Sequence, residues 1–168
     1  MKYQIVYDSR TGNTQKLAEH IYKCLEGKER DIKTVSEFDG TEEADLYFIG
    51  FCTNRNSCSM DIADVLEMLE GKKIALFGTC GMGNTQEYYK KIRKNMDVWM
   101  PEEYEDRGFF MCQGRMNDEI KERIAVMSSK MSEEVKCETW QMYDAGLSHP
   151  DTEDLKQLEI FIRNAISM

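Results

Sequence analysis

The stretch YQIVYDSRTGNT, residues 3–14, passes from an apolar run into a short polar loop that contains one glycine. Residues 3–7 have the length and apolar character of a buried β-strand. After the loop, Leu17, Ile21 and Leu25 recur at helical spacing, so an amphipathic helix follows the strand. A strand, a tight loop and a helix in this order predict the first unit of an α/β fold with a parallel sheet.

The loop between this strand and this helix is the strongest candidate for a binding site. Successive backbone N–H groups and the amino terminus of a helix point at one place there, which stabilises a phosphate dianion. A glycine allows close approach of the backbone, and side-chain hydroxyl groups can donate further hydrogen bonds. The candidate residues are Ser9, Arg10, Thr11, Gly12, Asn13 and Thr14.

A Ser/Thr-rich turn with an ordinary helix N-cap is the alternative interpretation of the same loop. Its spacing differs from G-x-x-x-x-G-K-[ST], which excludes an ATP-type P-loop. It also differs from G-x-G-x-x-G, which excludes a dinucleotide fingerprint.

Four further apolar runs alternate with amphipathic stretches along the rest of the chain, and the last three are almost continuously apolar, as expected for strands with helices on both faces. The predicted strands cover residues 3–7, 31–35, 44–50, 72–78 and 109–113. The predicted helices follow Thr14 and Ser59, cover residues 86–96 and 117–131, and begin again near residues 149–151, with Asp151 or Thr152 as N-cap. We predict an α/β fold, a three-layer α/β/α sandwich around a five-stranded parallel sheet.

Composition and charge restrict the classes of function. At 168 residues the chain suits a single domain, residues 1–168. Its net charge of -9 argues against binding to nucleic acid, which needs clustered Lys and Arg, and favours a basic protein partner. No apolar stretch is long enough for a signal peptide or a membrane span, so we expect no membrane insertion and a cytoplasmic location. The six cysteines and two histidines show no metal-ligand spacing, so we expect reduced thiols and no metal site.

The motif S-x-T-G-N-T directly after the first strand resembles the FMN-phosphate loop of the flavodoxin family. The resemblance covers most of the chain and continues in the loops after the third and fourth strands, which in flavodoxins flank the isoalloxazine ring. It implies strand order 2-1-3-4-5 and FMN bound non-covalently at the carboxyl edge of the sheet, where open α/β sheets bind ligands. The further cofactor-binding residues that it implies are Phe51, Cys52, Thr53, Asn54, Arg55, Thr79, Cys80, Gly81, Met82 and Gly83.

Around the ring, Gly81 and Gly83 are expected to allow close approach of the backbone, and Phe51, Met82 and Tyr88 to offer apolar faces. Related small flavodoxin-like proteins often carry an aromatic residue where this chain has Cys52, so we expect weaker stacking on the ring. They also tend to have a glycine near the tip of the third-strand loop, where a peptide flip supplies a hydrogen bond to the flavin semiquinone, and this chain has Asn56 and Ser57 there. Asparagine tolerates left-handed backbone geometry, so the flip stays open to this chain.

The resemblance implies electron transfer by FMN with a redox partner protein that carries a basic docking patch. FMN supplies the redox chemistry, so no catalytic side chain is assigned. Two alternatives stay open, an FMN-dependent NAD(P)H:quinone-type reductase and a redox-inactive flavodoxin-fold binding module. A minimal flavodoxin has no counterpart of the helix at 117–131 and the segment through Trp140 and Tyr143, which we expect to enlarge the core or to bind a partner.

Overall fold

Strands and helices alternate along the computed structural model, which describes residues 1–168. The strands are β1 (Lys2–Tyr7), β2 (Glu29–Thr34), β3 (Leu46–Cys52), β4 (Lys73–Cys80) and β5 (Glu105–Gln113). The helices are α1 (Asn13–Cys24), α2 (Met60–Glu67), α3 (Gln86–Met96), α4 (Asp118–Ser128), α5 (Glu133–Gly146) and α6 (Thr152–Ser167), with a 3-10 turn at Asp97–Trp99. None of these helices is both long enough and apolar enough to cross a membrane.

The five strands form one parallel sheet in the order β2-β1-β3-β4-β5. Alternate residues of each strand point to opposite faces. Ile5 and Phe48 pack in the apolar layer under α1 and α6, whereas Val6 and Ile49 pack in the layer under α2 and α3. The predicted three-layer sandwich and its strand order are confirmed.

The ends of several elements differ from the prediction. Strands β3 and β4 continue two residues further, so Cys52 and Cys80 are strand residues and not loop residues. Strand β5 begins at Glu105, four residues before the predicted start. The apolar pattern missed its first residues because they are mostly charged, and β5 lies at the edge of the sheet. Asp151 is the N-cap of α6, as predicted, and its side chain accepts a hydrogen bond from the Asp154 N–H at 3.0 Å.

The segment between β5 and α6 contains two helices and not the single helix predicted at 117–131. The first, α4, begins after Asn117, whose side chain accepts a hydrogen bond from the Ile120 N–H. The second, α5, begins after Ser132 and has no wide apolar stripe, since only Tyr143 and Gly146 are buried in it. Other helices of this chain are visible in the sequence through apolar residues at helical spacing. Helix α5 lacks that periodicity, so the sequence did not reveal it.

Candidate functional site

The carboxyl ends of β1, β3 and β4 lie side by side, because parallel neighbouring strands end at the same edge of a sheet. Tyr7 pairs with Gly50, and Gly50 pairs with Phe77. The loops that follow these strands are therefore neighbours. The structure brings together the three loops that the sequence analysis selected.

The first loop presents unpartnered backbone donors. The N–H groups of residues 11–15 have no hydrogen-bond partner within the chain, and the helical ladder starts with Lys16, whose N–H bonds to the Gly12 carbonyl at 3.0 Å. Gly12 has φ +85°, which glycine adopts at little cost, and a Cβ placed on it would meet no atom within 4 Å. No side chain caps α1. The loop is an open cluster of donors at a helix amino terminus, which suits an anion.

The side chains of this loop divide into two groups. The Ser9 hydroxyl is buried without a hydrogen-bond partner, which is costly unless a ligand or water supplies one. The Thr14 hydroxyl is buried 2.9 Å from that of Thr79 and holds α1 against β4. Thr14 therefore faces a ligand only through its backbone N–H. The Asn13 amide donates to the Thr11 hydroxyl at 2.9 Å and to the Arg115 carbonyl at 2.8 Å, so it holds the loop against the end of β5.

The third-strand loop closes in a two-residue turn. Asn54 and Ser57 exchange backbone hydrogen bonds of 2.8 and 3.0 Å across Arg55 and Asn56, which have φ angles of 50° and 62°. Asparagine therefore takes the left-handed geometry that the sequence analysis allowed for it. At the base of the loop, the N–H and hydroxyl of Thr53 both donate to the Thr79 carbonyl.

Helix α3 and the turn after it hold this tip in place. The Tyr88 hydroxyl donates to the Asn56 side-chain oxygen at 2.7 Å, and the Asn95 amide donates to the Asn56 carbonyl at 2.9 Å. The Trp99 indole N–H donates to the Ser57 hydroxyl at 3.0 Å. The turn is thus positioned by three side chains from one neighbouring segment.

The glycines of the fourth-strand loop are surrounded by the chain's own side chains. A Cβ on Gly81 would lie 2.6 Å from the Met116 side chain, and a Cβ on Gly83 would lie 2.4 Å from the Tyr88 ring. Gly83 also has φ +101°. Both glycines are therefore needed for packing within the protein, a role that the sequence analysis did not foresee for them.

The remaining predicted residues differ in exposure. Phe51 is fully buried in the core under α2 and α3, so its ring does not reach the edge and cannot offer the apolar face expected of it. Cys80 is also buried, and its thiol donates to the Gly83 carbonyl at 3.2 Å. Met82 and Cys52 are half-buried. Burial, and then the nearby Asp8 carboxylate, raise the pKa of the Cys52 thiol, which keeps it neutral at neutral pH.

A cleft of about 300 Å³ lies between these loops and α4. Arg10, Cys52, Thr53 and Gly81 line it from the predicted loops. Two lining residues that the sequence analysis missed are Arg115, which follows β5, and Arg123 on α4. Arg10, Arg115 and Arg123 are exposed, and none forms an ion pair, whereas Arg93 and Arg107 are paired with carboxylates. Glu119 also lines the cleft, so three arginines face one carboxylate there, and the cleft has a local excess of positive charge in a protein whose net charge is -9.

A larger cavity, of about 720 Å³, lies beside β5 and α6 and includes Arg107 and Phe161. It contains no residue of the first loop, and so none of its unpartnered N–H groups. Size alone therefore does not make it the better candidate. The smaller cleft combines backbone donors, free cationic side chains and the carboxyl edge of the sheet.

Comparison with known proteins agrees with the fold. A family model described as a Flavodoxin domain matches residues 4–163. The flavodoxin-like domain-containing protein BilS of Clostridioides difficile strain CD3 is 32% identical over 170 residues, which cover 98% of this chain and 96% of the relative. BilS of Clostridium symbiosum strain WAL-14163 is 31% identical over 187 residues, covering 99% and 96%. The solved flavodoxin of Streptococcus pneumoniae TIGR4 has a TM-score of 0.63 at 17% identity, with 99% of each chain covered, and shares the fold.

Proposed function

Because the chain belongs to the flavodoxin family, we propose that it binds FMN non-covalently and exchanges electrons with a partner protein. The observation that carries this proposal is the run of unpartnered N–H groups at residues 11–15. Such a run has a strong preference for an anion, and the terminal phosphate of FMN is a dianion. The buried, unpartnered Ser9 hydroxyl fits the same ligand, because a phosphate oxygen would accept its hydrogen bond.

FMN, when bound, supplies the transfer of one or two electrons, and the protein's part is to hold it and to set its surroundings. The first loop would hold the phosphate through its backbone N–H groups. Cys52, Thr53 and Gly81 line the adjoining cleft and would lie beside the rest of the cofactor. The third-strand turn is fixed by α3 and so offers a defined surface at this edge.

The partner is expected to present a basic patch, because this protein carries a net charge of -9. Asp61 and Glu87 are exposed in the first turns of α2 and α3, which begin at the same edge as the cleft, and Asp64 is exposed one turn further along α2. Opposite charges steer two proteins together before they touch. All six cysteines are free, which fits the reducing cytoplasm that we include in the proposal.

The test is a comparison of FMN with riboflavin, which has the same ring and no phosphate. We expect riboflavin to bind more weakly by roughly a hundredfold or more, since charge-assisted hydrogen bonds each contribute about 1.5 to 3 kcal/mol. Absorbance or fluorescence titration of the flavin-free protein measures both affinities. Equal affinities would refute the phosphate anchor, and a protein that binds neither flavin would support the redox-inactive binding module.

A matched pair of variants separates the loop from general stability. Gly12→Val and Gly27→Val both replace an exposed glycine that has positive φ and open space at its Cβ position. Each should destabilise the fold by about 1 to 2 kcal/mol. Only Gly12→Val should weaken FMN binding, because only Gly12 lies at the unpartnered N–H groups. Equal loss of FMN affinity in both variants would contradict the proposed position.

A second candidate function is the direct reduction of a small anionic molecule by the bound flavin, which corresponds to the NAD(P)H-dependent reductase alternative. The three unpaired arginines that line the cleft favour it, because an electron carrier that meets only a basic partner has no need of them. Steady-state oxidation of NADH or NADPH with a small acceptor and no second protein would support this activity. Turnover that requires a partner protein would support the carrier.

A further inference from the structure

His20, Cys24 and Glu159 form a cluster of potential metal ligands on the helical layer of α1 and α6. His20 and Cys24 are four residues apart on α1 and so share one face of the helix. Glu159 comes from the middle of α6, which packs against α1. Because the third member lies 135 residues beyond Cys24, the complete cluster has no signature in the sequence, and the proposal below departs from the expectation of no metal site.

The spacing of the three side chains suits one ion. Their ligand atoms all lie within 4.8 Å of one another, and His20 Nε2 is 3.0 Å from Glu159 Oε1. Tetrahedral zinc with ordinary bond lengths to nitrogen, oxygen and sulfur separates its ligand atoms by about 3.4 to 3.6 Å. Small side-chain movements therefore bring all three atoms to the required distances. An ion pair between His20 and Glu159 accounts for two of the residues but not for the thiol beside them.

The surroundings leave room for a fourth ligand. Cys24 is exposed, whereas His20 and Glu159 are half-buried. A surface cavity of about 560 Å³ adjoins Cys24 and Glu159, so water can reach the cluster. Burial, and then the Glu159 carboxylate, raise the pKa of the Cys24 thiol, so an ion that binds there would release the thiol proton.

We propose that His20, Cys24 and Glu159 bind a divalent transition metal of the zinc class, with a fourth position open to water. Nitrogen, sulfur and carboxylate ligands in a group of three plus water are typical of zinc. The ion would join α1 to the carboxyl-terminal helix and so stabilise the native state by mass action. The site is independent of the flavin proposal, because Cys24 is the last residue of α1 and lies at the end of that helix opposite the first loop.

Titration of the reduced, full-length protein with Co²⁺ as a spectroscopic probe tests the site. We expect one ion per chain, a thiolate-to-cobalt charge-transfer band, and loss of the band when Zn²⁺ is added. Cys24→Ser should abolish the band, and His20→Gln and Glu159→Gln should weaken Zn²⁺ binding by roughly tenfold or more. Cys137→Ser is the matched control, because Cys137 is also exposed but lies on α5 outside the cluster.

Zn²⁺ protection of the wild-type protein from alkylation gives a test that needs no variant. We expect Zn²⁺ to slow modification of Cys24, located by mass spectrometry, and to leave Cys137 unaffected. A charge-transfer band that persists in Cys24→Ser, or equal alkylation of Cys24 with and without Zn²⁺, would overturn the proposal. Neither readout depends on whether a flavin binds.

Discussion

The hydroxyl of Tyr88 donates a 2.7 Å hydrogen bond to the side-chain oxygen of Asn56, a residue with φ 62° at the tip of the third-strand loop. The bond joins α3 to a turn that has positive φ at both central residues, one of them Arg55. Non-glycine residues adopt such geometry at a cost, and contacts with the surrounding structure are needed to maintain it. The turn thus depends on α3 for its shape.

Tyr88→Phe removes this hydrogen bond and keeps the ring. We expect a loss of about 0.5 to 1.5 kcal/mol in the free energy of unfolding, measured by urea denaturation. Hydrogen exchange of the Ser57 amide, which closes the turn at 3.0 Å, should become faster. Tyr89→Phe is the control, because the Tyr89 hydroxyl has no hydrogen-bond partner in the protein and its loss should change neither quantity.

The buried hydroxyls of Thr14 and Thr79 predict a non-additive pair of substitutions. Thr14→Val or Thr79→Val leaves the other hydroxyl without its partner, at a cost of about 1 to 3 kcal/mol in unfolding free energy. The double variant removes both polar groups and should cost less than the sum of the single variants. A double-mutant cycle measures the coupling, and strict additivity would show that the two hydroxyls do not interact.

Alkaline pH should destabilise the protein through its buried thiols. Burial raises the pKa of Cys80 from 9.0 to about 12, and that of Cys58 from 9.0 to about 11. In the unfolded state these thiols lose their protons as the pH rises above about 9, whereas in the folded state Cys58 and Cys80 keep them up to about pH 11 and about pH 12. The free energy of unfolding therefore falls as the pH rises from about 9 to these folded-state pKa values. Each thiol contributes a slope of about 1.4 kcal/mol per pH unit.

Cys80→Ala should reduce that slope between about pH 9 and pH 11, as measured by denaturant unfolding at each pH. The comparison concerns the slope, since loss of a buried side chain also lowers stability at every pH. Cys137→Ala removes an exposed thiol and should retain the wild-type slope. An unchanged slope in Cys80→Ala would contradict the role given to its burial.

Cys52→Trp tests whether the half-buried end of β3 faces the ring of a bound flavin. A stacked aromatic adds about 0.5 to 1.5 kcal/mol, so FMN should bind about two- to tenfold more tightly. Cys52→Ala removes the thiol without adding a ring and should not tighten binding. Unchanged or weaker binding in Cys52→Trp would mean that the ring lies elsewhere or that another residue already covers it.

Neutralising Asp61, Asp64 and Glu87 together should slow electron transfer to a basic haem protein such as cytochrome c, by roughly threefold or more at low salt. The difference should shrink as salt rises, since charges are screened over about 8 Å at physiological ionic strength. Stopped-flow absorbance measures the rate of electron transfer to the haem protein. The rate at which dithionite reduces the bound flavin should hardly change in the variant.

The control for this prediction neutralises three exposed carboxylates of α5, namely Glu133, Glu134 and Glu138. It makes the same change in net charge at a different surface. If the α5 variant slows transfer and the first variant does not, the partner binds on the segment between β5 and α6.

Much of the fold could be predicted because apolar runs and helical spacing are local signals. The strand order was predicted from the family resemblance. The start of α6 was predicted from the local sequence at Asp151. Helix α5 could not be found in this way, because most of its residues are exposed and its apolar side chains do not follow one stripe.

Residues of the candidate site could be predicted from their own pattern only where the binding groups follow one another in a single loop. Residues 9–14 carry their signal in consecutive positions. The packing role of Gly81 depends on Met116, and the cationic cleft depends on Arg115 and Arg123, all of which come from a segment more than 30 residues further along the chain. Contacts over such distances leave no local pattern in a single sequence.

The hydrogen bond from the Asn13 amide to the Arg115 carbonyl also bears on the order in which the protein is made. The first loop is synthesised early, yet one of its fixing contacts belongs to a residue 102 positions later. A chain still emerging from the ribosome lacks that carbonyl, and contacts between distant residues form late in folding. Cofactor capture should therefore follow release of most of the chain, so that nascent fragments do not compete with finished molecules for flavin.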